Sequence, residues 1–255
     1  MRVAAADAIG RREDVAEHRY DEWTATLEAL AREAGLNGTR LLDVACGTGK
    51  SFLPFLDRGY EVVACDVSPA MVGRAAAKAE GRARIAVHDM RELPRLGSFD
   101  LVCCLDDAVN YLLSAAELTA ALRGMAGNLA PGGVLLFDAN TLASYRSFFT
   151  SLIVMPCDDQ VLIWTGKTAA DLGPGGLAEA TLEAFTRDGD GAWSRALSHH
   201  RQRHHPQDVV RAAVAEAGLR CVAVRGMFRD GSVTDACDEL ANTKAVYVAT
   251  RMSRP

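Results

Sequence analysis

Glycines and carboxylates follow two apolar runs in the first third of the sequence, in an arrangement that could bind a nucleoside. The run Leu41-Leu42-Asp43-Val44-Ala45 leads into Cys46-Gly47-Thr48-Gly49. Glycines directly after a strand allow positive φ and a close approach of the backbone to a ligand. Asp66 ends the next apolar run, where a carboxylate can accept both hydroxyls of a ribose. The sequence therefore predicts a site for an adenosine-containing ligand.

Two other nucleotide motifs fit these residues less well. A dinucleotide fingerprint requires a third glycine at the position occupied by Phe52. Gly49-Lys50-Ser51 matches the end of a phosphate-binding loop, but that motif also requires a glycine where this sequence has Val44. Asp43 would suit the cationic end of a sulfonium amino acid better than a pyrophosphate. A nucleotide-dependent oxidoreductase is therefore the weaker alternative.

The segments that must position these residues alternate between strand and helix. Apolar runs at 41–45, 61–65, 84–87, 99–105 and 134–137 predict strands, and the segments 51–58, 68–80 and 114–129 predict helices. Ser68-Pro69 and Ser114 are typical helix starts. Such alternation predicts a parallel sheet covered on both faces, with its ligand at the carboxyl ends of the strands. These ends carry Asp66, Asp89, Asp106 and Asp138.

The pattern changes after Asp138. Stretches of β type at 152–155, 161–165, 177–185 and 193–201 are separated by glycine-rich turns, which predicts an antiparallel insertion. A helix at 206–217 and strands at 219–225 and 245–250 are predicted to follow. We therefore expect an α/β fold with a Rossmann-like, seven-stranded, mostly parallel sheet, helices on both faces, and the antiparallel β insertion after the fifth strand.

Three domains are expected. Residues 1–149 hold an N-terminal helix at 14–34 and the cofactor-binding core, residues 150–205 form a cap over the substrate, and residues 206–255 complete the core with a helix and two strands.

Composition restricts the classes of partner. The 255 residues are 49% hydrophobic and 24% charged, which is typical of a soluble globular protein. A formal net charge of −5 disfavours nucleic acid as the main partner. Seven cysteines without a CxxC motif indicate buried thiols in a reducing compartment. Neither a membrane span nor a secretory signal is visible, so a cytoplasmic protein is expected.

Asp43-Val44-Ala45-Cys46-Gly47-Thr48-Gly49 closely resembles the glycine-rich motif of the class I S-adenosylmethionine-dependent methyltransferases. Four further segments resemble the family's motifs in order: 66–71 its ribose-binding strand end, 88–90 its adenine site, 99–112 its fourth strand with the segment beside the donor methyl, and 129–133 the turn into its fifth strand. The stretch 20–23 resembles the N-terminal helix that closes over the cofactor in small-molecule members, and the insertion resembles that of natural-product and amine methyltransferases.

The resemblance implies S-adenosyl-L-methionine as the cofactor and S-adenosyl-L-homocysteine as its product. It implies methyl transfer to an N or O atom of a small molecule by in-line displacement, in which orientation of the acceptor supplies the catalysis. Neither a metal nor a covalent intermediate is expected. Asp89 is expected to accept from the adenine amine, with Met90 against the ring. The implied cofactor-binding residues are Tyr20, Trp23, Asp43, Ala45, Cys46, Gly47, Gly49, Asp66, Val67, Met71, Asp89, Met90, Leu105 and Asp106.

Residues after the fourth and fifth strands, and a histidine-rich run at 199–205, are candidates for the acceptor side. In a strand, His200, Gln202 and His204 share one face, and histidine accepts a proton readily at neutral pH. A packing role or a solvated face stays open for these residues, whereas the arginines in the run disfavour a metal. The catalytic candidates are His200 and Tyr111, and the substrate-binding candidates are Asn110, Asn140, Tyr145 and Arg203.

Two further alternatives stay open beside the oxidoreductase. One is an RNA-modifying methyltransferase, which the acidic balance disfavours; Leu105-Asp106-Asp107-Ala108 also stands where an amine-specific RNA motif would be expected. The other is a non-catalytic protein that binds S-adenosylmethionine. The expected partner is a small-molecule acceptor, without membrane or nucleic acid, for a monomer or a homodimer.

Overall fold

The computed structural model describes residues 20–251, and five parallel strands with helices between them form its centre. The strands are β1 (Arg40–Val44), β2 (Glu61–Asp66), β3 (Ala83–Val87), β4 (Phe99–Cys104) and β5 (Leu129–Asn140). The helices are α1 (Tyr20–Glu33), α2 (Leu53–Asp57), α3 (Pro69–Ala79) and α4 (Ala115–Asn128). The part of the N-terminal helix predicted at 14–19 lies outside the described residues.

The C-terminal segment extends this sheet with antiparallel strands. After α5 (Leu142–Ser147) and the insertion come α6 (Gln207–Glu216), β10 (Leu219–Met227), β11 (Val233–Thr234) and β12 (Lys244–Arg251). The strand order is β11-β10-β12-β5-β4-β1-β2-β3, with β12 antiparallel to β5. The prediction of a mostly parallel Rossmann-like sheet is confirmed, and the two-residue β11 adds an eighth strand at its edge.

Two apolar clusters cover the two faces of the sheet, because neighbouring residues of each strand point to opposite sides. Leu42 and Val44 of β1 belong to the cluster that contains α4 and α6. Leu41 belongs to the cluster that contains Trp23 and Leu27 of α1. The strands are therefore buried on both faces, which explains their continuous apolar runs.

Strand β5 is longer than the sequence predicts. It was expected as the apolar run 134–137 ending in Asp138, but it runs from Leu129 to Asn140. At its beginning Leu129 pairs with Phe99 of β4, and at its end Asn140 pairs with Lys244 of β12. The strand is therefore extended at both ends, and its end at Asn140 agrees with the expectation that Asp138 and Asn140 lie at the end of the fifth strand.

The insertion is an antiparallel sheet, as predicted. Its strands are β6 (Leu152–Cys157), β7 (Gln160–Gly166), β8 (Leu177–Arg187) and β9 (Trp193–Arg203), paired in that order. A third apolar cluster, which includes Tyr145, Phe149 and Trp164, lies under it. None of the helices within residues 20–251 is long and apolar enough to cross a membrane.

Candidate functional site

The loop after β1 brings its backbone close to the carboxyl end of the sheet. Ala45, Gly47 and Gly49 all have positive φ, at 59°, 54° and 90°. A Cβ on Gly49 would lie 2.8 Å from the ring of Phe52, which is buried against this loop. Phe52 thus fills the space beside Gly49. It stands at the sequence position where a dinucleotide-binding motif has its third glycine. The loop is shaped for close contact with a ligand at its outer side.

Asp66 at the end of β2 is held against this loop. The N–H of Gly47 donates to its Oδ2 at 3.0 Å, and the N–H of Ser68 donates to its Oδ1 at 2.8 Å. Burial raises the pKa of Asp66, and these two N–H donors oppose the rise. Each carboxylate oxygen has a further lone pair for a ligand hydroxyl. The structure therefore fixes the orientation that a ribose-binding carboxylate requires.

Asp43 is a buried carboxylate with an unsatisfied oxygen. The hydroxyl of Ser51 donates to Oδ2 at 2.6 Å, but Oδ1 has no hydrogen-bond partner among residues 20–251. Burial raises the pKa of Asp43 to about 7, and the nearby Asp66 and Asp106 add to the rise while Ser51 opposes it. A buried polar atom without a partner is costly. A ligand cation near this oxygen would remove that cost.

The segments predicted to bind the ribose and the adenine follow β2 and β3. Val67 is 61% exposed, Met71 is half-buried in α3, and Met90 packs against the apolar cluster around α4. Both oxygens of Asp89 accept hydrogen bonds from the Arg91 guanidinium, which lowers the pKa of that carboxyl. The predicted bond from an adenine amine to Asp89 would have to form beside this ion pair.

Helix α1 contacts the turn after β4 through its first residue. The hydroxyl of Tyr20 donates to Oδ2 of Asp106 at 2.7 Å, and the indole N–H of Trp23 donates to the sulfur of Met227 at 3.1 Å. Leu105 and Cys46 are buried beneath. Burial raises the pKa of the Cys46 thiol far above its usual range, so this thiol is neutral and unreactive. The helix thus lies beside the glycine loop, where a cofactor-covering helix is expected.

Asp106 and Asp107 form an unusual turn after β4, and sequence reasoning missed the residue that holds it. Both have positive φ, at 60° and 52°, which is strained for residues with side chains. Lys244 Nζ lies 3.2 Å from Asp106 Oδ1, 3.1 Å from Asp107 Oδ1 and 2.7 Å from Asp138 Oδ2. Lys244 begins β12, opposite the end of β5. The pairing of β12 with β5 brings Lys244 to these carboxylates, and this pairing cannot be read from the sequence without the sheet topology.

Charge and burial oppose each other in this cluster. Burial disfavours the charge on Lys244, but the three carboxylates outweigh it and hold the pKa of the ammonium well above its usual value. Burial also raises the pKa of Asp138, and Lys244 opposes that rise. The N–H of Asp107 donates to Asp138 Oδ2 at 3.0 Å, whereas Oδ1 of Asp138 has no partner within residues 20–251. Lys244 is therefore the counter-charge for this edge of the sheet.

Tyr111 and His200, the two catalytic candidates, lie together. The hydroxyl of Tyr111 is 2.8 Å from Nδ1 of His200, and Nε2 of His200 is 3.0 Å from the hydroxyl of Ser198. Tyr111 is 44% exposed, and the His200 ring lies beside Trp164 with centroids 5.3 Å apart. These two residues are 89 positions apart in the chain. The structure therefore brings a phenol and an imidazole to one side of the site.

The four substrate-binding candidates are occupied by protein contacts. Asn110 is fully buried, donates to the carbonyl of Arg203 at 2.9 Å and accepts from the N–H of Asn140 at 2.9 Å. The Arg203 guanidinium donates to the carbonyls of Leu113 and Gly175. Tyr145 is also fully buried. These contacts join the turn after β4 and the end of β5 to the insertion, and substrate-binding roles for Asn110, Asn140, Tyr145 and Arg203 stay predictions.

Gln202 is the second residue that sequence reasoning missed. It is buried, its Nε2 donates to Asp107 Oδ2 at 2.6 Å, and its Oε1 accepts from Asn140 Nδ2 and the Tyr145 hydroxyl, both at 3.1 Å. The alternation of the strand placed Gln202 on the same face as His200. Nothing in the sequence indicated a functional role for a glutamine within the histidine-rich run. In the same run, His204 Nε2 is 3.0 Å from Glu239 Oε2.

Comparisons with known proteins agree with this geometry. Residues 41–133 match a family model described as a methyltransferase domain. A protein of Geobacillus sp. (strain WCH70) that is named as a methyltransferase is 28% identical over 227 residues, covering 87% of this chain and 90% of that protein.

Solved structures share the fold. An S-adenosylmethionine-dependent methyltransferase from Clostridium acetobutylicum ATCC 824 superposes with a TM-score of 0.79 at 21% identity, covering 93% of this chain and 94% of that chain. A sugar N-methyltransferase from Streptoalloteichus sp. ATCC 53650 has a TM-score of 0.75 at 22% identity, covering 96% and 93%. Both similarities extend over the insertion as well as the central sheet.

Proposed function

We propose that this chain is a class I S-adenosylmethionine-dependent methyltransferase and that it methylates an amine nitrogen of a small molecule. The methyltransferase-domain match over residues 41–133 and the fold shared with solved methyltransferases support this proposal. The observation that carries the choice of acceptor is the excess of carboxylate at the carboxyl ends of the strands. Within residues 20–251, the carboxylates of Asp106, Asp107 and Asp138 all lie close to the ammonium of Lys244, and the Asp106 side chain is 44% exposed.

The residues present fit S-adenosyl-L-methionine. Asp66 has the orientation for a ribose, and the positive-φ glycines let the backbone lie against the ligand. The unsatisfied Oδ1 of Asp43 suits the cationic end of the donor. When bound, this cofactor supplies a methyl group already activated on a sulfonium, and S-adenosyl-L-homocysteine is the product. The other cofactor-binding residues, including Val67, Met71 and Met90, stay proposals.

The charge of the site favours a cationic acceptor. A primary or secondary amine arrives as an ammonium, which the carboxylates attract, whereas a carboxylate or phosphate acceptor would be repelled. The Streptoalloteichus relative, a sugar N-methyltransferase by name, supports an amine on a sugar-sized molecule. A hydroxyl acceptor has no such attraction, and it is the second possibility.

An ammonium has no lone pair, so it must lose a proton before nitrogen attacks. Tyr111 and His200 are placed to take that proton, since the phenol is exposed and its oxygen is 2.8 Å from the imidazole. The neutral nitrogen then displaces the sulfonium in line, one C–N bond forms as the C–S bond breaks, and the product leaves as a methylated ammonium. Orientation within about 3–3.5 Å provides most of the acceleration.

The insertion completes the acceptor side. His200 and Arg203 of β9 contact Tyr111 and Leu113, so we propose residues 150–205 as the substrate cap, beside a core formed by 1–149 and 206–255.

Free thiols support a reducing compartment such as the cytoplasm. They are Cys46, Cys65, Cys103, Cys104, Cys221 and Cys237.

The test supplies methyl-labelled donor with a panel of amino sugars and other small amines, and with the same molecules carrying a hydroxyl in place of the amine. We expect label on the amines. Tyr111→Phe and His200→Asn should each lower kcat, by roughly 10²-fold if proton removal limits the rate, with unchanged donor affinity.

The control is His199→Asn, an exposed histidine on the opposite face of the same strand. Label on the hydroxyl compounds alone would refute N-methylation. Donor binding without turnover on any acceptor would identify a non-catalytic binding protein, and label on RNA would identify the RNA-modifying alternative.

A further inference from the structure

We propose that Lys244, Asp107 and Gln202 form a positioning network for the methyl-transfer reaction, one that brings Tyr111 and His200 together; this inference rests on the proposed function. The network joins three distant parts of the chain. Lys244 is the first residue of β12, Asp107 lies in the turn after β4, and Gln202 lies in β9 of the insertion.

Asp107 is the centre of the network. Its Oδ1 lies 3.1 Å from Lys244 Nζ, and its Oδ2 accepts from Gln202 Nε2 at 2.6 Å. Each oxygen is therefore bonded to a different element. Its backbone N–H is bonded to the fully buried Asp138 as well. The contacts from Lys244 and Gln202 to its two oxygens hold the Asp107 carboxylate in one orientation.

The backbone of the turn requires such support. Asp106 and Asp107 are consecutive non-glycine residues with positive φ, a strained conformation that persists only where its surroundings hold it. Residues 108–111, which end in Tyr111, follow directly as a 3₁₀ turn. The conformation of Asp107 therefore determines the position of Tyr111 at the end of this turn.

The other end of the network fixes His200. Gln202 is two residues after His200 on the same strand, so both side chains point to the same face. Bonds from Asn140 and Tyr145 to Oε1, together with the bond from Nε2 to Asp107, use both ends of the Gln202 amide. The position of β9 relative to the turn is thereby set, and His200 meets Tyr111 at 2.8 Å.

The experiment compares Gln202→Met, Lys244→Met and the double variant with the wild-type enzyme. Methionine has the length of glutamine and is one atom shorter than lysine, but it cannot donate to Asp107. We expect kcat to fall by at least tenfold, and by up to about 10²-fold, because a small misplacement of reacting groups is costly. Donor affinity, measured by calorimetry, should stay within about twofold. The double variant should be no slower than the slower single variant, since both substitutions release the same carboxylate.

A spectroscopic signal separates positioning from general loss of structure. The imidazole nitrogens of His200, observed by NMR with labelled histidine and assigned with His200→Asn, should shift when the bond to Tyr111 is lost. Asn128→Leu is the matched control, because Asn128 is a buried amide whose partners are the backbone groups of Pro94, Leu96, Gly97 and Gly124, away from the site. It should lower thermal stability while leaving the His200 signals and kcat unchanged.

Unchanged His200 signals in both single variants, or a loss of kcat equal to that of Asn128→Leu, would overturn the network. A wild-type enzyme that methylates no amine would instead overturn the proposed function. The NMR comparison would still show whether His200 depends for its position on Lys244, Asp107 and Gln202. The turnover and NMR measurements thus distinguish failure of the function from failure of the network.

Discussion

In its proposed role beside the cofactor, Asp43 would make cofactor binding depend on pH. Its burial raises the pKa to about 7, so a proton must leave this carboxyl before a cationic ligand gains a full counter-charge. A bound ammonium or sulfonium favours the ionised form. Donor affinity should therefore increase as the pH rises through 7 and fall below it.

We predict that the affinity for S-adenosyl-L-methionine falls roughly tenfold between pH 7.5 and pH 6, the change that one group with a pKa of about 7 produces when only its ionised form binds. Calorimetric titration at several pH values measures it. In Asp43→Asn the affinity should be lower at pH 7.5 and nearly independent of pH. A wild-type affinity that is flat over this range would show that Asp43 does not face the cation.

The same residue has the opposite effect on the ligand-free protein. Its folded-state pKa exceeds the unfolded value, so the folded state binds the proton more tightly, and stability is lost as the pH rises from about 4 to about 7. We predict that Asp43→Asn raises the unfolding free energy relative to wild type more at pH 8 than at pH 5. Urea denaturation without ligand measures this, and an equal effect at both pH values would contradict it.

Sequence reasoning succeeded at the residue scale where the partners are local. Asp66 and Gly47 lie on neighbouring strand ends of one motif, and the structure bonds them at 3.0 Å. Lys244 and Asp106 are 138 positions apart, and Gln202 and Asp107 are 95 apart. Such contacts depend on which strands become neighbours and in which register, and a single sequence does not state this.

At the scale of elements, helix α4 shows how a local sequence can set a boundary. Ser114 accepts from the N–H of Glu117 at 3.2 Å, and Glu117 accepts from the N–H of Leu113 at 2.7 Å, as in a capping box. The start of this helix was therefore predictable. The length of β5 was not, because its last residues pair with β12 more than a hundred positions later.

We predict that Ser114→Ala lowers the unfolding free energy by about 1 kcal/mol, because an N–H at the helix start loses its acceptor. Denaturant unfolding with an unchanged slope measures it. Ser194→Ala is the control, because this exposed strand serine bonds only at the surface and should change stability by less than about 0.5 kcal/mol. Equal losses in the two variants would contradict the capping role.

At the scale of the whole molecule, the site is assembled from parts that are distant in sequence. The proposed donor side comes from the loops after β1 and β2. The proposed acceptor side comes from the turn after β4, from β9 of the insertion and from Lys244 of β12. The central sheet and the insertion were predictable from their strand patterns. Their contact was not, since it is made by side chains such as Arg203 and Asn110 that the sequence indicated for the substrate.

Cofactor binding should stabilise this assembly as a unit, because the ligand binds only the folded state. We predict that S-adenosyl-L-homocysteine at about 100 times its Kd raises the unfolding free energy by about 2.7 kcal/mol, which corresponds to roughly 5–10 °C in Tm for a chain of this size. Circular dichroism and tryptophan fluorescence should report the same increase if the sheet and the insertion unfold together. Asp66→Ala, which removes the carboxylate proposed to hold the ribose, should show no increase at that concentration. A wild-type Tm unchanged at saturating ligand would mean that the carboxyl ends of β1 and β2 do not hold the nucleoside, whatever acceptor the enzyme uses.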